Sequence, residues 1–324
     1  MTLISYSQNL EDVMLWRALK HIEHGFYVDV GANDPKLLSV TRAFYEHGWH
    51  GINIDPATWT GLNRERTRDI NLEVAAGAAE GKIVFYEVSD SSLSTSDSEL
   101  AEQYRQRGYV VVERRVTSMT LNQILDKYSN GPVHFMNIDV EGAELDVLQG
   151  LALSIWRPWI ILVEATSPTT EIPAFEKWES LIVSADYQFA YFDGLNRFYV
   201  AKEHSELLAA FHAPPNIFDH YVLSRQMDDQ QKLEAKENVI QAQNRELEAK
   251  EGVIQAQKRE LGAVIQAQNR ELEAKEKVIQ AQNAELKARE EIIQRFQTSY
   301  LFWISNGPFR WVPGVRLLTE FGRR

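Results

Sequence analysis

The chain has 324 residues, no cysteine and a formal net charge of -12 at pH 7. That length suits one full α/β domain plus an appendage. The missing thiols exclude disulfides, thiolate zinc sites and cysteine nucleophiles, and the acidic balance argues against a nucleic-acid partner, which calls for a basic face. The opening MTLISYSQNLEDVMLW lacks a basic region followed by an apolar one, and nowhere do about 18 apolar residues run together, so neither a signal peptide nor a membrane span is expected. A cytoplasmic setting fits these features.

In chain order, short β-rich runs alternate with helical patterns over residues 1–223, as in a mainly parallel sheet with crossover helices. Strands are expected near 26–30, 51–54, 72–75, 133–138 and 159–164. KIVFYEV (82–88) and YVVVERRV (109–116) read as elaborations or an added strand. YQFAYF (187–192) and RFYVA (197–201) flank Asp193-Gly194-Leu195-Asn196, turn chemistry that makes them a hairpin. His134, just ahead of a buried strand, reads as structural.

The first strand, FYVDV, breaks at Gly31-Ala32-Asn33-Asp34, and a helical pattern follows from about Ser39 through Tyr45. In open α/β sheets the crevice outside the carboxyl end of such a strand takes nucleotide-like ligands. A dinucleotide turn needs G-x-G-x-x-G, but Asn33 and Lys36 stand where the later glycines would fall, and no G-x-x-x-x-G-K-[ST] string is present. NAD and nucleoside triphosphates are therefore disfavoured. S-adenosylmethionine carries a sulfonium cation and no phosphate, which suits a turn with one glycine and acidic and polar neighbours: Asp29, Gly31 and Asn33. A second strand, GINID, ends at Asp55, placed to accept hydrogen bonds from ribose hydroxyls. HFMNIDVEGAELDVLQG (134–150) ends a third strand at Asp139, with Glu141-Gly142 expected to open the next helix. WIILVEA adds Glu164 at the same edge. A charged group at the end of a buried strand is costly unless it is paired or used.

FYVDVGANDP, GINIDP, FMNIDVEGAELDVLQG, the opening SYSQNLEDVMLWRAL and the late YFDGLNRFYV together resemble the FkbM family of methyltransferases, in particular members from bacterial polysaccharide and O-antigen biosynthesis. The resemblance covers roughly residues 4 to 202. It implies a class I, Rossmann-like methyltransferase fold with a terminal antiparallel hairpin, and transfer of a methyl group from S-adenosylmethionine to an oxygen, often a sugar hydroxyl. Carried onto this chain, it assigns Asp29, Gly31 and Asn33 to the cofactor loop, Asp55 to the ribose, and Asp139 with Glu141 to the IDVEG motif. Asn137 departs from the lysine common at that place in the family.

A sugar hydroxyl is a poor nucleophile, so proton removal and alignment are the expected contributions. Asp139 is the first candidate for base or substrate anchor and Glu141 the second. A divalent cation on these oxygens is the alternative way to lower the hydroxyl's pKa. Ser92 to Glu99 and Tyr6-Ser7-Gln8 are expected to overlie the pocket, with Gln8 at the cofactor.

From about Met227 to Gln297 the chain becomes a repeat, VIQAQNRELEAKE and its variants. One apolar column runs through it, from Leu233, Ile240, Leu247, Ile254 and Leu261 to Ile265, Leu272, Ile279, Leu286 and Ile293. The seven-residue step is broken once, by four residues at Leu261–Ile265, a stutter in a heptad array. A coiled coil is expected, its polar a positions (Asn244, Glu251, Asn269, Glu276) weakening the association; the alternative is a solvated single helix with i,i+4 charge pairs. Residues 298–324 combine Tyr300, Phe302, Trp303, Phe309, Trp311 and Phe321 with arginines and suit an anionic membrane surface, or else docking on protein. The resulting expectation is a sugar O-methyltransferase acting on a lipid-linked glycan at the inner face of the inner membrane. It would self-associate through the rod, with glycosyltransferases as further partners. Rival readings are methylation of a diffusible small molecule and a non-catalytic scaffold for glycan assembly.

Overall fold

The structure is a computed structural model and describes residues 2–57, 61–88 and 93–306. Two compact units are present, Met1–Leu233 and Glu234–Arg324.

In the first unit the strands are β1 (Leu3–Ser5), β2 (Phe26–Val30), β3 (His50–Ile54), β4 (Ile70–Leu72), β5 (Ala75–Ala76), β6 (Gly81–Val88), β7 (Val111–Met119), β8 (Phe135–Ile138), β9 (Ile160–Glu164), β10 (Tyr187–Phe192), β11 (Asn196–Ala201) and β12 (Tyr221–Leu223). The α-helices are α1 (Glu11–Leu19), α2 (Arg42–Glu46), α3 (Leu62–Glu65), α4 (Ser98–Gln106), α5 (Leu121–Tyr128), α6 (Glu144–Gln149), α7 (Glu179–Val183) and α8 (Ser224–Asn306), the last continuing into the second unit.

Seven strands form the main sheet in the order β10-β11-β9-β8-β2-β3-β4. β9, β8, β2, β3 and β4 are parallel, and the β10–β11 hairpin adds antiparallel to β9. Alternation along the central strands loads both faces. Val28, Val30, Ile52, Ile54, Met136 and Ile138 pack with α5, α6 and Trp178, while Tyr27, Phe135, Ile160, Leu162 and Phe198 pack with α1, Phe44 and Trp49. Strands buried on both faces are what a parallel sheet under two helical layers requires. The connections diverge between β2 and β8, which leaves a crevice at their carboxyl ends.

The two β-rich pieces expected as elaborations form a separate three-stranded sheet, β5-β7-β6. The hairpin turn closes as the sequence implies. Asp193 Oδ1 accepts from the backbone N–H groups of Leu195 and Asn196, and Gly194 takes φ 103°.

Two helix starts differ from expectation. Asp34 Oδ1 accepts from the backbone N–H groups of Lys36 and Leu37 and Leu38 adopts φ 58°, so the chain stays in turns and α2 begins only at Arg42. Glu141 and Gly142 are both left-handed, at φ 50° and 99°, and α6 begins at Glu144, whose carboxylate accepts from Gly142 N–H.

Behind the β2 turn lies a buried polar network. Arg66, fully buried, donates to Asp69, Tyr27 Oη, Thr41 Oγ1 and the Pro35 carbonyl. Asp69 also accepts from Gly51 N–H, Tyr27 Oη and Asn53 Nδ2. The network ties the 31–41 loop to β2 and β3.

In the second unit α8 carries the repeat. Its apolar column is about half exposed along its length, for example Ile240 54%, Leu247 58% and Leu272 58%. Glu246–Lys250, Glu271–Lys275 and Glu285–Arg289 form i,i+4 ion pairs in the orientation that supports an isolated helix. The helix runs past the expected rod end to Asn306, taking in Tyr300, Phe302 and Trp303; residues 307–324, the rest of the expected tail, lie outside the described residues. No helix among the described residues is long and apolar enough to cross a membrane.

Removing Arg66 strands the buried Asp69 carboxylate without its cation. Arg66→Ala is expected to cost about 3–5 kcal/mol, read from urea denaturation of the full chain by tryptophan fluorescence.

Candidate active site

At the divergence point, β2 ends in a glycine for a steric reason. Gly31 sits at φ +84°, and a Cβ built there would lie 1.7 Å from the Asp139 carbonyl oxygen. The missing side chain therefore admits the neighbouring strand end. Gly31 N–H donates to the Ile54 carbonyl and Asp139 N–H to the Val30 carbonyl, so the ends of β2, β3 and β8 are drawn together.

These ends open on one cavity of about 600 Å³. The seven residues assigned from the sequence to the cofactor or to the chemistry all line it: Gln8, Asp29, Gly31, Asn33, Asp55, Asp139 and Glu141. Asp29 is buried, with Oδ1 accepting from Asn137 Nδ2 at 2.9 Å and Oδ2 from Thr41 Oγ1 at 2.8 Å. Asn137 thus gives Asp29 a neutral donor. Asp55 accepts one backbone N–H on each oxygen, from Ala57 and Asn33, both at 2.8 Å. It thereby fixes the loop that carries Asn33, itself left-handed at φ 45°.

The overlying segments are only partly as expected. Gln8 lines the cavity, but Tyr6 and Ser7 do not: Tyr6 Oη donates to Glu46 and Ser7 Oγ to Asp12. Of the serine-rich stretch, Leu93, Ser94 and Ser96 line the cavity, while Ser92 lies outside the described residues. Thr95 Oγ1 donates to the Glu141 carbonyl, and Asp97 caps α4.

The sequence reading missed Glu11 and Asn196, which also line the cavity. Asn196 Nδ2 donates to Glu11 Oε1 at 2.8 Å, joining α1 to the hairpin. Their signal was present, since each lies in a segment that carried the family resemblance.

Charge is the cavity's most distinctive property. Glu11, Asp29, Asp55, Asp139, Glu141, Glu164 and Glu171 all line it, and no lysine, arginine or histidine does so among the described residues. Burial is the first cause of each shift that follows. It lifts Asp55 to about 6 against the N–H groups of Ala57 and Asn33, and Glu11 to about 7 with help from Asp193. Glu141 is lifted to about 8, with Asp139 and Glu144 adding repulsion. Asp29 rises too, opposed by Asn137 and Thr41. Asp139 and Glu164 are both raised. Among the described residues no group of three or more His, Asp or Glu is arranged to hold a metal ion.

Most of the cavity's lining falls within a stretch of recognisable descent, because residues 29–189 match the methyltransferase FkbM domain model. The chain belongs to the FkbM methyltransferase family. Among solved structures it is similar to a methyltransferase FkbM from Methylobacillus flagellatus KT, with 14% identity and a TM-score of 0.34 over 55% of this chain and 44% of that one. No curated protein matches the sequence.

The upward shifts make a stability prediction. A carboxyl whose folded pKa exceeds its unfolded value of about 4 holds its proton more tightly when folded, so stability falls as pH rises from that value through the folded one. Glu11, Asp55 and Glu141 place this loss between about pH 4 and 8. His134, whose pKa burial lowers while its Nδ1 accepts from Phe26 N–H, acts in the opposite sense, as do Glu203 and Asp219, whose lowered values confine their effect to below about pH 5. The urea midpoint of the first unit, followed in the full chain, is expected to be higher at pH 5 than at pH 8.

Proposed function

We propose that this methyltransferase uses S-adenosylmethionine and methylates a sugar hydroxyl of a lipid-linked bacterial surface glycan. The observation that carries the cofactor assignment is the acidic lining without a basic side chain. Such a cavity repels pyrophosphate and triphosphate groups and favours a cation. The strand order, diverging between β2 and β8 with an antiparallel hairpin at one edge, supports reading the fold as class I and Rossmann-like.

When bound, the cofactor supplies an electrophilic methyl group on a positively charged sulfur. Asp29, Gly31, Asn33 and Asp55 would hold it, with Gln8 over the mouth. Asp55 keeps lone pairs free for ribose hydroxyls, since each oxygen accepts only one backbone donor. Asp139 receives the proton of the acceptor hydroxyl, and Glu141 lies beside it to anchor the acceptor. Burial suits both to this work, because a base near neutral pKa is both available and strong enough.

The exposed apolar column of α8 supports self-association of the repeat as a coiled coil. The aromatic and arginine-rich tail suits an anionic membrane surface, where a lipid-linked acceptor and glycosyltransferase partners would be found. This reading puts the protein on the cytoplasmic face of the inner membrane.

Isothermal titration of the full chain tests the cofactor. Both S-adenosylmethionine and S-adenosylhomocysteine are expected to bind, and Asp55→Ala to weaken both by about 10- to 100-fold, the worth of a charged hydrogen-bond acceptor. No binding by the folded wild-type chain would overturn the reading. For the rod, sedimentation velocity is expected to show an oligomer that Leu247→Lys with Leu272→Lys reduces to monomer; an unchanged sedimentation coefficient would instead favour the single helix.

A further inference from the structure

β8 and β9 run parallel with Ile138 paired to Val163, so Asp139 and Glu164 leave the sheet side by side, and both line the cavity. Glu164 is only 7% exposed, and its Oε2 is buried with no donor. The two carboxyls are close enough to share a hydrogen bond once one of them is protonated. Such a bond requires that one of them hold a proton, since two carboxylates offer only acceptors.

Surroundings decide which one holds it. Glu164 is raised by burial and by the charges of Asp139, Glu141 and Glu144, and its bond to Asp139 raises it further. Asp139 is raised by burial, Glu144 and Asp29, but its bond to Glu164 pulls it back. Tyr104 from α4 also faces this cluster, its pKa raised by burial and then by Glu141 and Glu164 and opposed by Arg107. Glu164 is the more enclosed of the two and has an oxygen without a donor, whereas Asp139 keeps partial exposure to the cavity, so ionising Glu164 costs more and the proton belongs to it.

We propose that Glu164 is a positioning residue: held neutral, it donates a hydrogen bond to Asp139 and keeps that carboxylate ionised to receive the acceptor's proton. This rests on the methyltransferase reading. The balance is simple. As the oxygen–methyl bond forms and the sulfur–methyl bond breaks, the hydroxyl proton moves to Asp139, the positive charge on sulfur is lost, and Glu164 keeps its own proton.

The test is a carbon-13 NMR titration of the full chain labelled at aspartate side-chain carboxyls, the Asp139 signal being identified by its absence in Asp139→Asn. Glu164→Ala removes the donor, and the Asp139 midpoint is expected to rise by about one pH unit, the usual worth of such a bond. Glu164→Gln restores an N–H donor, and its midpoint should lie close to that of wild type. A purely structural role would not separate these variants. Equal midpoints in all three proteins, or a glutamine variant shifted as far as the alanine one, would overturn the proposal. Calorimetry with S-adenosylmethionine on the same samples keeps the two readings apart, because absent binding removes the methyltransferase mechanism while the NMR midpoints still judge the carboxyl pair.

Discussion

The contact between Gly31 and the Asp139 carbonyl is the constraint around which the catalytic unit is arranged. Any side chain at residue 31 would push β2 and β8 apart at their carboxyl ends. Asp29, Asp55 and Asp139 would then no longer converge on a single crevice. The positive φ and the vanishing clearance have one cause, a tight turn pressed against a neighbouring strand. Behind it, Arg66 and Asp69 hold the same turn from below, so the loop is fixed by backbone contact on one side and a buried ion pair on the other.

Convergence of acids carries a cost that the fold does not remove. Asp29 and Asp55 are satisfied by neutral or backbone donors, while the buried Arg66 makes no hydrogen bond to Asp29 and touches it through Thr41, its charge opposing the effect of burial only in part. The cavity therefore retains its electrostatic demand. Raised carboxyl pKa values and affinity for a cation are two expressions of that single imbalance, and sites under such strain are commonly functional.

Much of this was legible in the sequence because strands buried on both faces announce themselves as apolar runs and their last residues fall on the ligand edge. Asp29, Asp55, Asp139 and Glu141 could be read this way. The starts of α2 and α6 could not, because they depend on whether Asp34 caps a turn and whether Glu141 accepts a left-handed backbone, and both are decided by neighbouring loops. Glu11 and Asn196 were missed for a related reason. They meet across 185 residues of sequence through a single hydrogen bond, and no local pattern encodes that meeting. The repeat of α8 was legible as a helix, whereas what its apolar column packs against is not encoded in that periodicity.

Gly31 explains how the acids come together, and the Asp139–Glu164 pair explains how they can act once there. A buried carboxylate surrounded by like charges would ordinarily take up a proton and cease to be a base. A second carboxyl, more deeply buried and more strongly repelled, takes up that proton first and returns part of it as a hydrogen bond. In the proposed arrangement the most perturbed acid protects the next one, so crowding carboxyls into one crevice would yield a usable base as well as a negative potential. Under the proposed function the same logic places demands on the acceptor: it would bring a hydroxyl to Asp139 without a phosphate in the cavity, since among the described residues no basic side chain lines it.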